Sequence, residues 1–306
     1  MARSSSSRCF NDYFSRSSYT ISNYARGVIF FAIYLGILIT LCVVRKRAGA
    51  GKRLIGLPYV GALSFTVIQS AYQFILSTLS ACDALGSSGY VYDTNIATLV
   101  FSWIQTMLFL YVVFYLLNIM LRKQLGQNLS VLKIVFGIDL LILGVVLLAY
   151  TAIICQYYYW SSRNYYYSPG LISSWATISL SLAFDALQIL SIIGSAILSV
   201  LAVKSLKQKG MAHTSLLVWI AILHFSLLFS AAWSLTSTAG QVSRGLYYGE
   251  VGYEVVSWFS SVFYALALVA VIIIARNPVW KSTAFAEEQQ YAYHQEPPVY
   301  DDAQRA

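Results

Sequence analysis

A carboxylate in the middle of a long apolar run is the first residue of this chain that chemistry could use. Asp185 is the sole charge in the stretch 171–203. A charged carboxylate at the centre of a membrane helix costs roughly 2.5–3.5 kcal/mol, so it faces protein or water, or keeps its proton. At about 100° per residue, Ser174, Thr177, Ser181, Asp185, Gln188, Ser195 and Ser199 fall near one line. Such a stripe is either the wall of a hydrated cavity, with Asp185 as counter-ion or proton acceptor, or a small-residue seam between packed helices.

Further polar groups stand inside other apolar runs. Gln69 and Gln73 share one helical face, as helix-joining amides or as part of a pocket. His224 lies mid-run, about 120° from the ridge Ser226, Ser230, Ser234 and Ser237. That turns it away from the ridge and makes it a partner for Asp185 in a ligand or ion pathway. Glu254, Ser257, Ser261 and Tyr264 share a face, as do Tyr111, Tyr115, Asn118 and Arg122; both groups read as packing or boundary residues. Asp139 reads as structural. The three histidines are scattered and no Cys-x-x-Cys pair occurs, so no metal, haem or other cofactor is expected. No nucleophile–base constellation appears, so an enzyme is not expected.

Outside the apolar runs, tyrosine dominates one loop. Tyr157, Tyr158, Tyr159 and Trp160 are followed by Tyr165, Tyr166 and Tyr167. This is an interface belt or a stacking platform for a sugar, sterol or peptide. Cys82 and Cys155 end their runs on the same side, where an oxidising compartment permits a disulfide; Cys9 leaves the pairing open. Pro297-Pro298-Val299-Tyr300 matches the PPxY ligand of WW domains, which implies a WW-containing ubiquitin ligase as partner.

Seven apolar stretches must position these groups: 27–44, 54–82, 97–121, 131–155, 171–203, 214–238 and 251–275. Each can cross about 30 Å of hydrocarbon at about 1.5 Å per residue. The composition agrees: 58% of residues are hydrophobic and 10% charged. A soluble domain has about 25% charged residues and could not cover its surface with so few. The expected fold is all-α: a polytopic membrane protein built as a seven-transmembrane-helix bundle. Residues 1–26 form a polar Ser/Arg-rich tail, 27–275 the bundle, and 276–306 a polar tail of disordered composition.

Lys and Arg set the orientation. The first, third and fifth loops hold Arg45, Lys46, Arg47, Lys52, Arg53, Arg122, Lys123, Lys133, Lys204, Lys207 and Lys209; the others hold only Arg163 and Arg244. The odd loops are therefore cytoplasmic, the N-terminus outside and the C-terminus inside. The excess of basic residues then lies on the cytoplasmic side, against anionic inner-leaflet lipid, and the chain's net charge of +8 does not imply nucleic acid.

Span count and orientation resemble the topology of the G-protein-coupled receptors. Their motifs do not follow: Met120-Leu121-Arg122 lacks the acidic-Arg-aromatic triplet, and Asn277-Pro278 has Lys281 where a tyrosine should stand. The seventh span also lacks the lysine that holds retinal in microbial rhodopsins. The first expectation is a receptor-like sensor of an extracellular small molecule or peptide, in a surface membrane. A proton-coupled transporter and a non-catalytic membrane-organising scaffold are the alternatives.

Overall fold

In the computed structural model, residues 18–81, 89–127, 129–163, 174–211, 214–242 and 250–280 are described. They are helical, with no strand among them. α1 is Ser18–Arg45 and α2 is Leu57–Ala81, joined by a 3-10 turn at Gly49–Arg53. α3 runs through Gly89–Leu110, a π-helical stretch at Tyr111–Leu117, and Asn118–Gln124. α4 is Ser130–Arg163, α5 Ser174–Gln208, α6 Thr214–Val242 and α7 Glu250–Ala275. Each of the seven contains a segment long and apolar enough to cross a membrane.

Helix ends follow local chemistry. Gly126 and Gly210 have φ of 70° and 71°, a left-handed conformation that glycine adopts without Cβ strain. Both close a helix with paired return bonds. Gln127 N donates to Arg122 O and Gly126 N to Lys123 O; Met211 N donates to Leu206 O and Gly210 N to Lys207 O. Basic residues in these last turns also meet the negative end of the helix dipole.

Each helix packs against the next, and α7 closes the ring against α1. The seam between α1 and α7 is aromatic and hydrogen-bonded. Trp258 Nε1 donates to Ser22 Oγ at 2.9 Å, and Phe30 meets Trp258 edge-on at 5.8 Å. The second half of α3 is central and also touches α5, which buries Val112, Val113, Phe114 and Leu117 of the π stretch. α4 exposes an apolar stripe of Val131, Ile134, Ile138, Leu141, Val145 and Leu148. In water that stripe is a liability; hydrocarbon solvates it.

Several boundaries differ from the sequence expectation. α1 begins nine residues before 27, because a helix satisfies its own backbone beyond the apolar run and Arg26 Nη2 bonds back to Asn23 Oδ1 at 2.6 Å. α4 extends through Tyr157, Tyr158, Tyr159 and Trp160, which the sequence reading placed in a loop. On a helix successive side chains stand about 100° apart, and the Tyr157 and Tyr158 rings meet edge-on at 5.9 Å, so Tyr157, Tyr158 and Tyr159 do not form one flat platform. Tyr165, Tyr166, Tyr167 and Cys82 lie outside the described residues. Cys155, on α4, carries no bridge to a described residue.

At the end where the basic loops gather, the chain after α7 turns back. Asn277 Oδ1 accepts from Val279 N at 3.2 Å, and Trp280 Nε1 donates to Ile274 O at 2.6 Å. Val279 and Trp280 are buried. The first residues of the expected tail are thus packed; Pro297, Pro298 and Tyr300 lie outside the described residues. Gly51 of the 3-10 turn is pressed against Ala275 and Trp280.

Candidate functional site

The singled-out residues separate into three places. The first is a partly open cavity of about 510 Å³ between α1, α2, α3 and α7. Asn23, Tyr24, Arg26, Gly27, Phe30 and Tyr34 line it from α1, and Thr66, Gln69, Ser70, Gln73, Phe74, Leu76 and Ser77 from α2. Gln105 comes from α3, and Ser260, Ser261 and Tyr264 from α7. Gln69 and Gln73 therefore stand in a cavity wall, about one helical turn apart on α2. They form no hydrogen bond within the described residues. Gln105 Oε1 is also buried without a partner.

The floor is aromatic. Tyr264 Oη lies 3.4 Å from Thr66 Oγ1, and its ring meets Tyr34 at 6.1 Å and Phe109 at 5.6 Å, both edge-on. One turn further along α7, Tyr59 Oη donates to Leu268 O at 2.8 Å. Beyond that the packing is apolar and close. Leu54, Ile55, Leu63, Val113, Val271 and Ile274 are at most 1% exposed, so the cavity is blind.

The second place is the seam between α5 and α6. Thr238 Oγ1 donates to Asp185 Oδ2 at 3.5 Å and lies 3.4 Å from Ser181 Oγ. Asp185 is buried, and among the described residues no cation pairs with it. Gln188 is half-buried one turn along. Neither Asp185 nor Ser181 nor Gln188 lines the cavity. Without a counter-ion, the carboxylate is costly as an anion. Asp185→Asn, which keeps the shape and an acceptor for Thr238, is therefore expected to leave thermal stability in detergent unchanged or raised; a marked loss would reveal work done by the charge itself.

The third place is a buried polar knot joining α3, α5 and α6. Ser199 Oγ donates to Asn118 Oδ1 at 3.0 Å, and Asn118 Nδ2 donates to Ser195 Oγ at 2.8 Å. Ser195 Oγ lies 3.2 Å from His224 Nε2, and His224 Nδ1 lies 2.9 Å from Ile220 O. A carbonyl only accepts, so Nδ1 carries the proton and Ser195 donates to Nε2. All four side chains are buried. His224 thus meets Ser195 and not Asp185, which stands ten residues earlier on α5, about 15 Å along the axis. The relay expected from the sequence is not assembled. The far half of the α5 stripe is a packing seam. In the same region Ser191 Oγ donates to Asp139 Oδ1 at 2.8 Å, tying α5 to α4.

Sequence reasoning missed Asn118 as the hub, Gln105 and Thr66 in the cavity wall, and the π-helical stretch that precedes Asn118. A lone asparagine or glutamine in an apolar run was the available signal. Nothing in the sequence marks the π stretch, a feature that concentrates at functional positions. No group of three or more metal-ligating side chains occurs among the described residues.

Fold and site together define a seven-helix bundle, apolar enough to cross a membrane, with a blind polar cavity. The chain matches no family model, no curated protein and no solved structure.

Proposed function

We propose that the protein is an integral membrane receptor-like sensor that takes a small extracellular ligand into the cavity between α1, α2, α3 and α7. In this reading the N-terminus is outside and the C-terminus cytoplasmic, in the plasma membrane. The observation that carries it is the blind polar cavity: it begins near the start of α1, ends on Tyr264, and has close apolar packing beneath. A pocket of this size, with convergent polar groups, is the usual form of a small-molecule site. Orientation rests on the Lys and Arg residues gathered where α1, α3 and α5 end. The same orientation sets those residues against anionic lipid and places the PPxY segment where a WW-domain ligase could bind it. The reading assigns binding and no catalysis.

The test uses Ser70, on the cavity wall. In full-length protein with Cys9, Cys42, Cys82 and Cys155 replaced by serine, Ser70→Cys is expected to react with a membrane-impermeant thiol reagent added from outside only. Reaction from both sides would favour alternating access and transport. Protection from both sides would sink the cavity reading and leave the scaffold.

A further inference from the structure

We infer that the cavity selects a neutral, polyhydroxylated small molecule: a sugar or polyol, with no fixed charge. This rests on the ligand-binding reading above and adds the chemical class. Two amides, Gln69 and Gln73, line the space and form no hydrogen bond within the described residues, while the Gln105 amide lies against Tyr264. A carboxamide offers two donors and an acceptor, and a hydroxyl answers either.

Other ligand classes fit the wall poorly. Among the described lining residues there is no carboxylate, so a cationic ligand finds no counter-charge. Among the described lining residues Arg26 is the one cation; it is bonded to Asn23 Oδ1 and stands eight residues, about 12 Å along α1, before Tyr34, so an anion seated on the floor is not directly paired by it. A wholly apolar ligand would desolvate the amides without replacing their water. A sugar or polyol satisfies the amides on its edges. Its C–H faces lie against rings such as Phe74, which itself stacks on Phe31 at 6.4 Å and is tilted to Tyr24 at 5.8 Å. No stacking cation is needed.

The experiment reads protection of the cysteine at position 70 in the cysteine-replaced full-length protein, reconstituted in vesicles. Labelling rate is measured with sorbitol, glucose or trehalose present, and separately with glutamate or lysine at the same concentration. A second arm places a glucosyl lipid in the vesicles without free sugar, so that a headgroup can be told from a soluble ligand. At least one hydroxylated probe is expected to slow labelling, and glutamate and lysine are not. Adding Gln73→Leu, or Gln69→Leu as an independent variant, is expected to weaken that protection roughly tenfold, the effect of losing a buried hydrogen bond, each variant's protection being read against its own unprotected rate. Equal protection by glutamate or lysine overturns the inference, as does a reactive cysteine that no hydroxylated probe protects. A cysteine that does not react at all fails the cavity itself, which is the separate failure of the ligand-binding reading.

Discussion

Gly51→Ala is expected to cost about 3 kcal/mol, the upper end of the range for overpacking a tight site. A Cβ at this position would overlap the carbonyl oxygen of Ala275. It would also stand 2.9 Å from that carbonyl carbon and 3.2 Å from Trp280 Cδ1. Two of these neighbours are backbone at the end of α7, and the third is a tryptophan only 1% exposed and hydrogen-bonded to Ile274 O. None is a flexible side-chain tip that could swing away. The 3-10 turn must therefore lift from α7, and the buried Leu54 and Ile55 move with it. Size-exclusion profiles and melting temperature in mild detergent read the outcome. Gly36→Ala in α1 is the control. Its Cβ would meet nothing within 4 Å, so it is expected to be neutral or to stabilise by about 0.5–1 kcal/mol through helix propensity. Equal behaviour of the two variants would refute the tight seat of Gly51.

Asn118→Ala is expected to cost about 2 kcal/mol. It removes two interhelical hydrogen bonds, to Ser195 and Ser199, and such bonds inside membrane bundles average about 0.6 and reach about 1.7 kcal/mol. Ser199 Oγ, fully buried, then loses its acceptor. Ser195 loses the amide but keeps His224. Ser199→Ala, which breaks one bond, is expected to cost about half as much by the same measure. Ser226→Ala supplies the opposite case. Its hydroxyl is buried with no partner among the described residues, so removing it is expected to be neutral or stabilising. Unfolding titrations in mixed micelles rank the variants. If Ser226→Ala proves as damaging as Asn118→Ala, the effect belongs to packing volume and not to the hydrogen-bonded knot.

Much of the architecture was legible before any coordinates. An apolar run long enough to cross hydrocarbon is a local property, and so is the helix that fills it, because hydrocarbon forces the backbone to bond with itself. The seven spans, the centres of the helices and the all-α class therefore follow from composition and length. Gly126 and Gly210, each set after a basic turn, announce their helix ends in the same local way. Gln69 and Gln73 were placed on one face by periodicity alone, and that face does line the cavity.

What stayed hidden is which face meets which neighbour. Asp185 and His224 are the two most conspicuous polar groups in the spans, yet they stand at different levels of the seam between α5 and α6: Asp185 against Thr238, His224 against Ser195. Inside a bundle a polar stripe is spent wherever an adjacent helix offers a donor, and only the packing of α3 into the centre brings Asn118 to Ser195 and Ser199. The cavity is of the same kind. Its walls come from α1, α2, α3 and α7, and α7 reaches α1 only when the ring closes. Composition and run length were enough to set the seven apolar helices and their centres, since these depend on neighbours along the chain and on the solvent. The tertiary structure alone decided which polar side chains are consumed in holding helices together and which are left facing an open space, because that depends on partners far away in sequence.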